Sequence, residues 1–262
     1  MSRPFKYLIA SIVLLGCAEE NQSSQAADPP GVAVVELFTS EGCSSCPSAD
    51  KVLAKLVAGQ AQSHARVYCL TFHVDYWDDL GWPDRFADER FTQRQRHYAQ
   101  ALNLRSIYTP QMIVNGQTEF VGSNVKTAAQ AITAAQQTPS QVNITLSTKR
   151  LAGGKAQVHY DLSSQPDNSV INIALVETGL ETAVQRGENA GETLKHANVV
   201  RAWESVDLQS KTSGDVTLEL PRGIDLTQSR VIAFVQDPMT KQVSGAMQTE
   251  PLESMAPAGA TD

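Results

Sequence analysis

Val32-Ala33-Val34-Val35-Glu36-Leu37-Phe38-Thr39-Ser40-Glu41-Gly42-Cys43-Ser44-Ser45-Cys46-Pro47 is the stretch on which the reading of this chain turns. Val32 to Phe38 is an apolar run interrupted only by Glu36, the pattern of a strand buried on both faces. Pro47 to Val57 then carries Ala49, Val52, Leu53 and Leu56 at helical spacing before Gly59. Cys43 and Cys46 therefore sit where a buried strand gives way to a helix. Unpaired N–H groups and the macrodipole at a helix N-terminus stabilise an anion, so they favour the Cys43 thiolate relative to a free thiol of pKa about 8.5. The thiolate is the species that attacks a disulfide. On this spacing Cys43 is the exposed attacker, and Cys46, one turn deeper, resolves the mixed disulfide. Pro47 suits an early helical position, where a missing N–H costs little. Half a zinc site and a purely structural disulfide share the spacing, but zinc needs a second Cys pair or two well-placed histidines, and the chain offers no second pair.

Working outward, Arg66 to Val74 reads as a second buried strand and Arg85 to Leu102 as a charged amphipathic helix with Phe91, Ala99 and Leu102 inward. Gln111 to Val114 and Gln117 to Val121 flank Asn115-Gly116, a strong hairpin signal because both turn residues must accept positive φ. Asn124 is placed to cap an Ala-rich helix ending near Gln137. Tyr108-Thr109-Pro110 directly precedes the third strand. This order, with Cys-x-x-Cys at the first helix and Pro before the third strand, resembles the thioredoxin-like folds. The resemblance implies a cis Thr109–Pro110 bond beside the dithiol, presenting the Thr109 backbone to an extended substrate strand. It also aligns Glu36 with the buried acid beneath the dithiol of thioredoxin and of periplasmic disulfide oxidoreductases, implying that Glu36 exchanges a proton with Cys46. The alternative is an acid facing solvent at a strand end.

His73-Val74-Asp75-Tyr76-Trp77-Asp78 follows the second strand, at the strand end where α/β folds place their sites. His73, Asp75, Trp77 and Trp82 read either as a wall of the substrate groove or as an aromatic loop capping the next helix. Arg94, Gln95 and Tyr98 either line the same cleft or form a solvated helix face. Cys69, within Val67 to Phe72, reads as a buried, unreactive thiol.

Beyond Thr138-Pro139-Ser140 the texture changes. Gln141 to Ser147, Ala156 to Leu162, Val170 to Glu177, Val199 to Val206, Asp215 to Leu220 and Val231 to Gln236 are strand-like runs between turn residues, which predicts an all-β sandwich. The expected fold class is thus α/β, with a thioredoxin-like domain over residues 32–138, a β-sandwich domain over 139–250 and a disordered tail over 251–262. At the other end, Arg3 and Lys6 precede the apolar Tyr7 to Leu15, too short to span a bilayer. Leu14-Leu15-Gly16-Cys17 resembles the lipobox of bacterial lipoproteins. That implies a signal peptide over 1–16, a lipidated Cys17, a tether over 17–31, and a periplasmic protein held at the outer membrane through its lipid alone. The net charge of -7, from 28 acids and 21 bases, argues against nucleic acid or anionic lipid as partners.

Glu36 to Cys43, the His73 to Asp78 run and Thr109-Pro110-Gln111 are similar to a family of secreted bacterial thioredoxin-like proteins of unknown function. The similarity continues at Arg186-Gly187-Glu188-Asn189-Ala190-Gly191 and His196-Ala197-Asn198-Val199-Val200-Arg201. It implies fold and compartment but no substrate. The Arg186 to Arg201 segment reads either as a reach-back over the dithiol cleft or as ordinary Gly/Asn hairpin chemistry. Three functions follow. The first is a thiol-disulfide oxidoreductase that acts on a protein client, needs a redox partner and uses no bound cofactor. The second is copper handling through Cys43, Cys46 and His73. The third is a binding module in which the disulfide is a staple.

Overall fold

The computed structural model describes residues 1, 31–63, 66–164, 168–209 and 211–254. The expected signal peptide, Cys17 and almost all of the tether lie outside the described residues. Among those described, no helix is long and apolar enough to cross a membrane.

The first half of the chain runs β1 (Ala33–Thr39), α1 (Cys46–Ser63), β2 (Val67–His73), α2 (Glu89–Ala101), β3 (Gln111–Val114), β4 (Thr118–Val121) and α3 (Val125–Gln137). Every residue of β1 and β2 is buried, and the two pair in parallel with Glu36 opposite Leu70. β3 pairs antiparallel to the other edge of β1. Because side chains alternate along a strand, Ala33, Val35 and Leu37 pack with Ala49 and Leu53 of α1 and Ala128 and Ile132 of α3. Val34 and Phe38 face the other way, into a cluster with Phe91 and Tyr98 of α2. The predicted hairpin forms at Asn115 and Gly116, with φ 48° and 69°. Asn124 caps α3 by accepting the Thr127 N–H. Asp88 caps α2 and delays its start to Glu89, later than the predicted Arg85.

The second half contributes β5 (Ile144–Leu151), β6 (Lys155–Leu162), β7 (Val170–Glu177), β8 (Leu180–Ala183), β9 (Thr193–His196), β10 (Val199–Asp207), β11 (Ser213–Glu219), β12 (Ser229–Gln236) and β13 (Val243–Gln248). The fold is mixed α/β and mostly sheet. Its main layer is one eight-stranded mixed sheet of order β13-β12-β7-β10-β2-β1-β3-β4. The seam is the parallel contact of β10 with β2 at Val199 and Thr71. It is reinforced where the Thr71 N–H donates to the Asn198 carbonyl and the Asn198 side chain donates to the Cys69 carbonyl.

This changes the expected division at residue 139. A face-to-face sandwich exists: Val158, Tyr160 and Leu218 of the β11-β6-β5 sheet pack on Ile171, Ile173, Val231 and Ala233. One of its layers, however, is a continuation of the first half's sheet, not the sheet of a separate domain. Alternating apolar patterns reveal that a strand is covered but not which strand it pairs with. Residues 251–254, expected to be part of the tail, are described, and Leu252 is buried in that second cluster; the rest of the expected tail lies outside the described residues.

Arg94 of α2 ties the halves together. Its guanidinium meets both carboxylate oxygens of Glu36 on β1, at 2.6 and 2.9 Å, and donates to Gln236 on β12. It also lies over the rings of Phe72, Trp203 and Phe234. Removing one member of a buried pair strands the other charge. Arg94→Met is therefore expected to lower the unfolding free energy by about 3–5 kcal/mol in a urea titration; a loss well under 1 kcal/mol would mean that Glu36 finds other compensation.

Candidate functional site

β1 ends at Thr39, and the chain turns through Ser40–Ser45 into α1. The turn is closed by the Cys43 N–H donating to the Ser40 carbonyl and the Cys46 N–H to that of Cys43. Cys43 and Cys46 lie at disulfide distance, their Cα atoms 5.4 Å apart, at the N-terminus of α1. Neither has any solvent-exposed surface. The expectation of an exposed Cys43 is corrected: the segment after β8 lies over it. Asn189 donates from its side-chain amide to the carbonyls of Glu41 and Cys43, at 2.8 and 3.1 Å. Glu188 accepts the Ser44 N–H at 3.0 Å. Gly187, with φ +79°, lies against Trp82, where a Cβ would come within 3.1 Å of the Trp82 Cβ. Both readings of Arg186 to Arg201 are realised: the segment closes the β8–β9 hairpin, with Gly187, Gly191 and Asn198 at positive φ, and the hairpin loop reaches back over the cysteines.

The Thr109–Pro110 peptide is cis and Pro110 is buried. Trp77 links it to the cysteine loop: its indole N–H donates to the Thr109 hydroxyl at 2.8 Å, and its Cβ is 3.3 Å from where a Cβ on Gly42 would stand. Gln95 props the same turn by donating to the Tyr108 carbonyl and to Gln111. Asp75 is turned away, accepting from Thr92 of α2 at 2.5 Å. Gln95 and Tyr98 are buried and Arg94 is only 14% exposed, so the three do not form a solvated helix face.

Glu36 requires the largest correction. It shares the α2-facing side of β1 with Val34 and Phe38, whereas α1, which carries Cys46, packs on the opposite face. Both of its carboxylate oxygens are engaged by Arg94, and Tyr98 adds a hydroxyl bond. Strand parity makes it a buried ion-pair partner, not a proton relay beneath the sulfurs.

The buried acid on the cysteine side is Asp50. It stands one helical turn beyond Cys46, accepts from the Thr39 hydroxyl at 3.0 Å, and is only 7% exposed. Burial holds its carboxyl above the usual range, partly opposed by the nearby His196 and His73. It also lines a pocket of about 760 Å³ between α1 and β9, with Ser44, Pro47, Lys51, Glu188 and Leu194. The sequence carried a signal for it: an acid set into the otherwise apolar stripe of Cys46, Ala49 and Leu53.

Beside this acid is a second buried cluster. His73 Nδ1 is 2.6 Å from Asp84 Oδ2, which also accepts the Glu41 N–H. Glu41 accepts the Trp82 indole N–H at 2.8 Å, and its other oxygen is 3.2 Å from His196 Nε2, an ion-pair distance without hydrogen-bond alignment. The His73 and His196 rings meet edge to face with centroids 5.0 Å apart. Burial alone would depress His73, but the Asp84 carboxylate, its hydrogen bond and the nearby Asp50 and Glu41 carboxylates together outweigh burial and raise it. The same contact lowers Asp84 against its own burial. Among the described residues, no group of three or more His, Cys, Asp or Glu side chains is arranged to hold a metal ion. Of the expected copper set of Cys43, Cys46 and His73, the two cysteines are paired with each other and His73 Nδ1 faces Asp84. Cys69 is free and buried, and burial pushes its thiol up to about 12.

Residues 34–236 match the family described as a protein of unknown function, DUF1223. The chain belongs to this family. The matched span runs from β1 through β12 and so takes in both halves of the large sheet. Among solved structures, the chain is similar to protein AGR_C_4864 from Agrobacterium tumefaciens, at 26% identity and a TM-score of 0.63, over 86% of this chain and 97% of that one. It is also similar to HBP35 of Porphyromonas gingivalis, at 16% identity and a TM-score of 0.63, over 89% of this chain and 79% of that one; this second likeness concerns fold alone. None of the curated proteins compared matches the chain.

The His73–Asp84 pair carries a pH signature. The raised His73 contributes stability that is full below its ordinary value of 6.5 and is lost as pH rises through the folded value. The lowered Asp84 contributes stability that is present above 3.8 and is lost as pH falls through its folded value. Urea unfolding of the wild type against the His73→Gln/Asp84→Asn double variant should show a difference greatest between these limits and shrinking on both sides. A difference independent of pH would rule out the ion pair.

Proposed function

We propose that the chain is an exported thiol-disulfide oxidoreductase whose β1–α3 region is a thioredoxin-like unit and whose reacting pair is Cys43 and Cys46. The observation that carries the reading is the cysteine pair at a helix N-terminus, joined through Trp77 to a cis Thr109–Pro110 turn. A client thiolate attacks Sγ of Cys43; the client–Cys43 bond forms and the Cys43–Cys46 bond breaks. Cys46 departs as a thiolate and takes a proton from Asp50, which burial keeps protonated to higher pH than a free carboxyl. The client's second thiolate then displaces Cys43, so two electrons pass from client to chain, and a redox partner removes them. The reverse sequence reduces a client disulfide with the same atoms. Thr109 presents backbone to the client strand, and Trp77 and Trp82 wall the approach. Export through residues 1–16 and lipid attachment at Cys17 belong to the same proposal, since disulfides persist in oxidising compartments.

A staple reading has one observation in its favour, the complete burial of both sulfurs. Reduction potential separates the two, because structural disulfides lie below about -300 mV and catalytic pairs above. Reduced Cys46→Ala chain is expected to accumulate mixed disulfides through Cys43 with exported proteins, and an empty trap at a potential below that limit would favour the staple. Asp50→Asn should slow release of Cys46 by about 10²-fold, with the largest effect at acid pH, in stopped-flow reduction. Unchanged kinetics would remove Asp50 from the proton path.

A further inference from the structure

The oxidoreductase reading meets an obstacle in the molecule itself. Exchange needs a thiolate in line with the S–S bond, and no surface of Cys43 or Cys46 is open to one. What closes the site is polar and local. The Asn189 side chain supplies N–H donors to the carbonyls of Glu41 and Cys43, as an added backbone strand would. The Glu188 carboxylate takes the Ser44 N–H at the N-terminus of the 18-residue α1, where a negative charge is favoured. Residues 184–192 are bonded mainly to one another: the Val184 N–H donates to the Glu192 carbonyl, Gly191 to Val184 and Ala190 to Gly187. The turn therefore keeps its shape if its contacts with the cysteine loop are broken. Next to it the 760 Å³ pocket extends along α1, with Lys51 and Lys55 on its rim.

We infer that Gly187–Asn189 occupies the client site from within, so that a client displaces it to reach Cys43, and that the fitting client is an extended segment with a carboxylate beside its cysteine, which takes the place of Glu188. This rests on the oxidoreductase reading and adds the substrate class. In the reducing direction the Cys43 thiolate attacks the client disulfide. The Cys43–client bond forms, the client S–S bond breaks, and the other client sulfur leaves as a thiolate.

Two measurements on the full chain test it. Reduction of the oxidised protein by dithiothreitol should be about tenfold faster in Asn189→Ala, the order expected when two hydrogen bonds are lost. Buried Cys69 must stay closed to iodoacetamide, which reports that the variant is folded. If Asn189→Ala unfolds, the surface variant Glu188→Gln decides, with an expected acceleration of about threefold. Reduced Cys46→Ala chain is then mixed with symmetric disulfides of three short peptides bearing Glu, Gln or Lys before the cysteine, each normalised to its rate with free N-acetylcysteine. Glu peptides should be captured about fivefold faster than Gln peptides, with Lys peptides slowest. Unchanged reduction in folded variants, or equal capture of the three peptides, overturns the inference and leaves the oxidoreductase reading standing. Capture of none overturns both.

Discussion

The Arg94 guanidinium occupies the centre of the main sheet's α2 face, and much else follows from it. It is nearly buried, so its charge is tolerable only because Glu36 meets it through two oxygens and Tyr98 and Gln236 complete the shell. Glu36 and Gln236 lie on strands from opposite halves of the chain. The pair thus fixes how β1 and β12 sit beneath α2, and with them the run of strands between. An apolar replacement of the whole network could pack as well, but it would not specify this alignment of the two halves.

That constraint sorts the charges of the molecule by face. On the α2 side, Glu36 is locked into the core. On the α1 side, the carboxyl end of the sheet collects Asp50, Glu41, Asp84, His73 and His196 around the cysteines, all buried. Such a group is costly unless its members compensate one another. They do so through His73–Asp84, Trp82–Glu41 and Thr39–Asp50, with the ring nitrogens of His196 and Nε2 of His73 left without hydrogen bonds. His196 reaches this cluster only because β10 pairs with β2. The second half therefore builds the site as well as covering it.

Much of the first half was legible locally. The buried runs of β1 and β2, the Asn115–Gly116 turn, the Asn124 cap and the cysteines at a helix start all depend on short-range rules of periodicity and backbone freedom. The site was legible in part. Cys43, Cys46, Thr109 and Pro110 could be named because their spacing and order carry meaning, and Trp77 because it falls in a dense run of His, acids and aromatics at a strand end. The role of Glu36 is not legible in the sequence, because an acid in a buried strand points to a partner without saying on which face it stands. Asp50 does not stand out in the sequence, because a single acid in a helical stripe weighs little against its periodicity.

The sequence by itself determined the elements, the position of the cysteine pair at the head of α1 and the proline turn before β3, since each is set by residues a few places apart. Only the tertiary structure decided that the pair is closed. Residues about 145 positions downstream lie over it, and the parallel contact of β10 with β2 that brings them there is a non-local pairing. Strand pairing is encoded in side-chain fit between distant segments, not in the periodicity of either one. Cys43, open as a motif, is therefore shut in the fold.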